Sequence, residues 1–135
     1  MKIKLLSFLS LVTVLAISFP LYAHHGNAAY DMKEVMLKSA TVTSFAWANP
    51  HTIITFDVKD DKGNLVHWAG ELGSPSALTN LGWTKVSVHP GDVITIYIHK
   101  SKTGSSVGRI THVAFSDGTE LKDSSGGGEA SDYQR

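Results

Sequence analysis

Cysteine is absent from this chain of 135 residues. Its absence excludes disulfides, thiolate metal sites, cysteine nucleophiles and lipid attachment at a processed N-terminal cysteine. An excess of either charge is missing too, since twelve Lys and Arg residues face twelve Asp and Glu. The chain therefore offers no basic footprint for nucleic acid and no polybasic patch for an anionic membrane. The apolar run at residues 5–19 is shorter than the roughly 20 residues a bilayer-spanning helix requires. There is also no nucleotide-binding glycine loop, no His-Glu-x-x-His helix and no nucleophile elbow. Gly70 to Gly73 lacks the lysine and the pattern of a phosphate cradle, so none of the familiar catalytic motifs is available.

What the chain does have begins at its N-terminus. Lys2 and Lys4 precede the apolar run, and Pro20-Leu21-Tyr22-Ala23 ends on a small residue, so residues 1–23 are expected to be a signal peptide cut after Ala23. Leu21 stands where a small residue is preferred. A cut after Ala28 and an uncleaved anchor are the alternatives. Removing Lys2 and Lys4 leaves acidic residues ahead of basic ones by two. The expectation is a periplasmic or secreted protein with no membrane span after cleavage. All seven histidines lie beyond Ala23.

The remainder is long enough for one domain. Residues 24–35 read as a polar N-terminal arm. Residues 36–121 read as short strands separated by strong turn signals, at 36–47, 52–58, 65–72, 93–99 and 109–115. In the second strand Thr52, Ile54, Phe56 and Val58 point one way, while Ile53, Thr55 and Asp57 point the other. Asp60 to Asn64 reads as a hairpin turn with Gly63 taking a positive φ. One short helix is expected from Ser74, an N-cap followed by Pro75, with Ala77, Leu78 and Leu81 as its apolar stripe and Gly82 closing it. Residues 122–135, with three consecutive glycines, are expected to form a disordered tail. Five strands with a helix between the third and fourth match the element order of a small OB-like β-barrel, an all-β fold with one short helix. An open β-sandwich is the alternative.

Cleavage after Ala23 would place His24 at the terminus, where its α-amine and ring Nδ1 offer two nitrogens from one residue. A further imidazole would complete three nitrogens suited to copper, and His25 could add a fourth. Both the amine and the imidazoles can be freed of protons near neutral pH at small cost. The plainer alternative is two exposed histidines behind a signal peptide. His51 follows Asn49-Pro50 at the mouth of the second strand, and proline pushes Asn49 into an extended conformation. His51 is then either the second imidazole of a metal site or a loop histidine bonded to a backbone carbonyl. His67 and Glu71 share one face of the third strand. The carboxylate could orient a metal ligand or accept a proton, or the two could be a solvated pair on the exterior. Trp68, of opposite parity, belongs with Val66 and Leu72 in the core. His89, His99 and His112 have no spacing that implies a site, and Arg109 could meet an anion.

Taken together, His24-His25-Gly26, Tyr30-Asp31, Asn49-Pro50-His51, Trp68 with Glu71, Gly73-Ser74-Pro75, Leu78, Gly82-Trp83 and Pro90-Gly91-Asp92 resemble one family. It is the group of small exported bacterial proteins known as domain of unknown function 6152. The resemblance runs from about His24 to Leu121. It departs at Gly26, where serine is common, and at Ala40, where glycine is common. It implies a periplasmic or secreted location and a compact β fold, with no established activity. It also draws attention to the double histidine, Asn49, His51 and Glu71.

The sequence thus leads to a periplasmic metal-binding β-barrel, with copper held by His24, His25 and His51 and with Glu71 nearby. The rival is a module that binds no metal, holding a small ligand or a partner protein of an exported redox or transport system through Asn49, Trp47, Trp83 and Arg109. An oxidative copper enzyme would further need an open coordination position and a substrate surface, for which the sequence offers no support.

Overall fold

A computed structural model describes residues 27–124. A 3-10 turn, Asn27–Ala29, leads into β1 (Tyr30–Ala46), β2 (Ile53–Lys59) and β3 (Leu65–Glu71). A one-turn helix α1 (Pro75–Thr79) separates these from β4 (Val93–Ser101), β5 (Val107–Ala114) and a short β6 (Glu120–Lys122). The sheet runs β3-β2-β1-β4-β5-β6, and an additional β3–β5 pairing turns its first five strands into a ring. Antiparallel pairing joins β1 to β2 and β4, β2 to β3, and β4 to β5. The fold is OB-like in its strand order and in the placement of its helix, but the ring is not a regular barrel. Its closure rests on three parallel pairs: Ala69 with Val107, Gly70 with Gly108, and Glu71 with Arg109.

The inward face follows from strand alternation. Ile54 and Phe56 of β2 and Ile94, Ile96 and Ile98 of β4 are all buried, with Val58 packed against them. Opposite them on β5 are Ile110 and Val113, also fully buried. Trp68 lies partly buried against this core, its ring stacked near that of Phe56. The side chains of Ile53, Thr55 and Asp57 take the outer face, as the period of two requires.

Glycine explains why the ring can close where it does. A Cβ at Gly70 would come 2.4 Å from the Cδ1 of Ile110, and one at Gly108 would come 2.6 Å from the backbone oxygen of His99. These two glycines are register partners across the β3–β5 seam. The missing Cβ of Gly70 leaves room for Ile110 of β5, and that of Gly108 leaves room for Ile98 and the backbone of the neighbouring β4.

Several boundaries differ from the sequence-based expectations. β1 starts at Tyr30, so the second half of the expected arm is strand, paired with β4 from Tyr30 opposite Ser101 to Glu34 opposite His99. Hydrophobic patterning misses this stretch because both of its faces carry polar residues. The strand breaks register between Leu37 and Ala40, next to Ser39 at φ 55. This irregularity lets one long strand pair with β4 along most of its length and with β2 only near its end. The chain also continues in strand past the expected limit at Leu121. β6 pairs with β5 at His112, Val113 and Ala114, and Asp123, expected in the tail, donates its backbone N–H to Thr111 O at 2.7 Å. One edge of β5 is thus shared, by β3 over its first residues and by β6 over its last. Residues 125–135 of the expected tail lie outside the described residues.

The helix is shorter than its apolar stripe suggests. Ser74 caps it, its Oγ accepting the Ala77 N–H at 3.4 Å, and Leu78 is fully buried, but Leu81 lies beyond the helix and is exposed. Asp60 organises the β2–β3 turn by accepting from the Lys62 and Asn64 amides at 2.9 and 2.8 Å. These bonds, with that from the Asn64 side chain foremost, hold the Asp60 carboxyl below its ordinary range. Among the described residues no helix is long and apolar enough to cross a membrane.

Candidate functional site

The polar residues of most consequence gather on the outside of the ring, over the β3–β5 seam. Glu71 is the last residue of β3 and faces outward because Gly70 before it faces the core. The parallel register sets Arg109 of β5 directly opposite. Arg109 Nη1 donates to Glu71 Oε1 at 3.2 Å, while its Nε and Nη2 reach Asp123 Oδ2 at 3.3 and 3.2 Å. Asp123 has a side chain of 0% exposure and also accepts the Gly73 N–H at 2.6 Å. The guanidinium thus spans two carboxylates, one half-buried and one fully buried.

His51 approaches the same carboxylate from the loop before β2. Its backbone position is set by the bonded segment next to it, where Thr52 N donates to Gly73 O and Leu72 N donates to Thr52 O. His51 Nδ1 lies 3.2 Å from Leu72 O and 3.2 Å from Glu71 Oε1. Both neighbours are acceptors, so Nδ1 is the nitrogen that donates to them. Of the two sequence-based readings of His51, the loop histidine bonded to a backbone carbonyl is the one observed. Asn49 is exposed, and its peptide bond to Pro50 is cis.

Tyr30 completes the cluster from β1, with its hydroxyl donating to Glu71 Oε2 at 3.4 Å. Burial pushes the Tyr30 phenol above its ordinary value of 10.0, Glu71 adds to the rise by charge and by hydrogen bonding, and Arg109 opposes it. The folded protein then holds this proton at a pH where the unfolded chain has released it. Stability from Tyr30 is present below pH 10.0 and falls as pH rises through the higher folded-state value. Thermal melts on the alkaline side should show that decline in the wild type and a shallower one in Tyr30→Phe. Equal slopes would contradict the assignment.

Other expected residues are distributed differently. His24 and His25, like the expected signal peptide, lie outside the described residues. His67 does not join Glu71; its exposed ring pairs with Asp57, its register partner on β2. Sharing one face of a strand left the two residues four positions apart, and each found a cross-strand neighbour first. Trp47 is half-buried beside Phe45, with ring centroids 5.8 Å apart. Trp83, expected at a contact surface, is fully buried, and its indole Nε1 donates to Lys122 O at 2.9 Å. That burial removes it from any contact surface. His89 stays local, its Nδ1 3.8 Å from Asp92 Oδ2 in the turn before β4. His112 stacks on Tyr97 at 3.8 Å between centroids, with Nδ1 3.2 Å from Thr111 Oγ1, whose hydroxyl donates to Glu34. His99 has a buried Nδ1 with no hydrogen-bond partner among the described residues.

Two members of the seam cluster escape a reading of the sequence. Tyr30 stands in a stretch without strand patterning, although Tyr30-Asp31 is part of the family resemblance. Asp123 sits among polar residues next to the glycine run, and no local signal marks it as buried. Among the described residues, no group of three or more His, Asp or Glu side chains could hold a metal ion.

The fold and this cluster define a small β-ring protein with an outward histidine held by a carboxylate at the ring's seam. The chain belongs to a family of unknown function, DUF6152, whose sequence profile matches residues 12–111. No curated protein and no solved structure matches the chain.

Proposed function

We propose that this protein is an exported metal-binding module that takes copper through His24, His25 and His51, with Glu71 orienting His51. The observation that supports it best is the double acceptor on His51 Nδ1, from Leu72 O and Glu71 Oε1. A carboxylate or carbonyl on one ring nitrogen is the usual partner of a histidine that ligates metal through the other, because it sets the tautomer and raises ligand basicity. Tyr30, whose hydroxyl touches Glu71, is only five residues beyond His25 in the sequence. Export and cleavage after Ala23 rest on the pattern of residues 1–23, and cleavage supplies the free amine that a histidine chelate requires.

Glu71 is better suited to orient than to bind the metal, because Arg109 and His51 already meet the same oxygen, Oε1. The alternative module that binds no metal draws less support. Of its contact residues, Trp83 is buried and Arg109 is engaged by Glu71 and Asp123.

Titrating the mature protein with copper tests this reading. His24→Ala and His51→Ala should each weaken binding by more than about 10-fold, and copper should raise the melting temperature of the wild type. Unchanged affinity in both variants would sink the copper site. The mass of the secreted protein is a companion measurement: a terminus at Ala29 would remove His24 and His25 and end the model of a terminal chelate.

A further inference from the structure

The inward row of β4 ends on a charge. Ile94, Ile96 and Ile98 point into the core, and the alternation that places them there puts Lys100 on the same side. An ammonium stands where a fourth apolar residue would continue the row. The rows that finish beside it on the other strands stay apolar, with Leu37 on β1, Val58 on β2, and Val66 and Trp68 on β3. These five side chains line a pocket of about 220 Å³ next to the β2–β3 turn. The pocket shares no residue with the seam cluster.

Lys100 is half-buried, and among the described residues no carboxylate pairs with it. Its ammonium lies 5.2 Å from the centre of the Trp68 ring. That ring runs nearly parallel to Phe56, with 6.3 Å between centroids, so the indole plane is held from the core side. Asp60, at the rim, has both carboxylate oxygens engaged by its own turn. Oδ1 accepts from the Lys62 and Asn64 amides, and Oδ2 accepts from the Asn64 side chain.

We propose that this pocket binds a small aromatic monocarboxylate, whose ring lies on Trp68 and whose carboxylate pairs with Lys100. A cation between apolar walls attracts an anion more strongly than an exposed one, because less water screens it. The flat indole face suits an aromatic ring, and Leu37, Val58 and Val66 give that ring an apolar surround. The volume falls below the roughly 300–1,000 Å³ of pockets for drug-sized ligands, which fits a body of one ring. Lys59, Asp60 and Asp61 complete the lining, and the two rim carboxylates oppose a second negative charge on the ligand. This site is independent of the copper reading, since it uses neither a metal nor any residue proposed to hold one.

Benzoate is the probe, titrated into the purified protein in the presence of a chelator while nuclear magnetic resonance follows the Trp68 indole N–H. Saturable shifts are expected, with a Kd on the order of 1 mM. Benzylamine, with the opposite charge, and acetate, with no ring, should each bind at least about 10-fold more weakly. Lys100→Met keeps the apolar stem and should weaken benzoate binding about 10-fold, whereas Lys100→Arg should retain most of it. Lys85→Met removes an exposed charge elsewhere and should leave the affinity unchanged. Absence of saturable benzoate binding overturns the proposal and leaves Lys100 as a lysine that only lays its stem along apolar surface. Equal binding of benzylamine, or undiminished benzoate affinity in a folded Lys100→Met, overturns it too. Should Lys100→Met fail to fold, the three probes on the wild type and Lys100→Arg still decide the matter.

Discussion

Replacing Arg109 with alanine is expected to destabilise the protein by about 3–5 kcal/mol, the usual cost of taking one partner from a buried ion pair. The side chain of Asp123 has 0% exposure, and Arg109 meets its Oδ2 through both Nε and Nη2. The same guanidinium crosses the β3–β5 seam to Glu71, so the substitution also loosens the three-pair closure of the ring. Arg109→Lys should recover only part of the loss, because an ammonium cannot reproduce the planar fork that engages two carboxylates. Urea denaturation measures these differences. In a double-mutant cycle, Arg109→Ala with Asp123→Ala should cost less than the two single changes summed, by about 1–3 kcal/mol. A loss below about 1 kcal/mol for Arg109→Ala would place the pair with ordinary surface bridges.

Trp83→Ala should cost a similar amount, about 3–5 kcal/mol, for a different reason. The side chain is fully buried, 6.2 Å from the Phe45 ring between centroids, and removing it leaves a cavity that its neighbours can fill only in part. Its indole also donates to Lys122 O, so the change strikes the end of β6. Trp83→Phe retains much of the volume and loses the hydrogen bond, which is worth about 1 kcal/mol. The local signature would be faster exchange at the Asp123 amide, which bonds Thr111 O. The series separates core from contact surface: a stable, fully folded Trp83→Ala would return this residue to the surface role that its sequence position suggested.

These two substitutions meet at the same stretch of chain. Arg109 holds the Asp123 side chain and Trp83 holds the Lys122 carbonyl, while Gly73 leaves room for the return. A Cβ there would lie 2.0 Å from Ser124 Oγ. The segment at 122–124 therefore closes the domain, although it reads as the beginning of a tail. Nothing local could have marked it, because Lys122, Asp123 and Ser124 are all polar and their partners lie up to 50 positions away.

The fold was legible where burial is periodic. Thr52, Ile54 and Phe56 along the entry to β2 and its inner side, and Ile94, Ile96 and Ile98 on one side of β4, are buried as their alternation required. Turn chemistry at Asp60 to Asn64 and the Ser74-Pro75 cap placed two further boundaries, since both are decided by a few adjacent residues. The first half of β1 was illegible because its partner, β4, lies more than sixty residues away and its own faces are polar.

For the candidate site, residue types and their order along the chain settle the inventory: no thiols, seven histidines, and His51 and Glu71 as polar residues of note. Which of them meet is a property of the folded chain. His67 and Glu71 share a strand yet part company, because residues on one face of a strand bond across to neighbouring strands more readily than along their own. His51, Glu71, Arg109, Asp123 and Tyr30 come from five separate places in the chain. Closure of β3 on β5 sets Glu71 opposite Arg109, and the missing side chain of Gly70 at that seam becomes meaningful only when Ile110 is beside it.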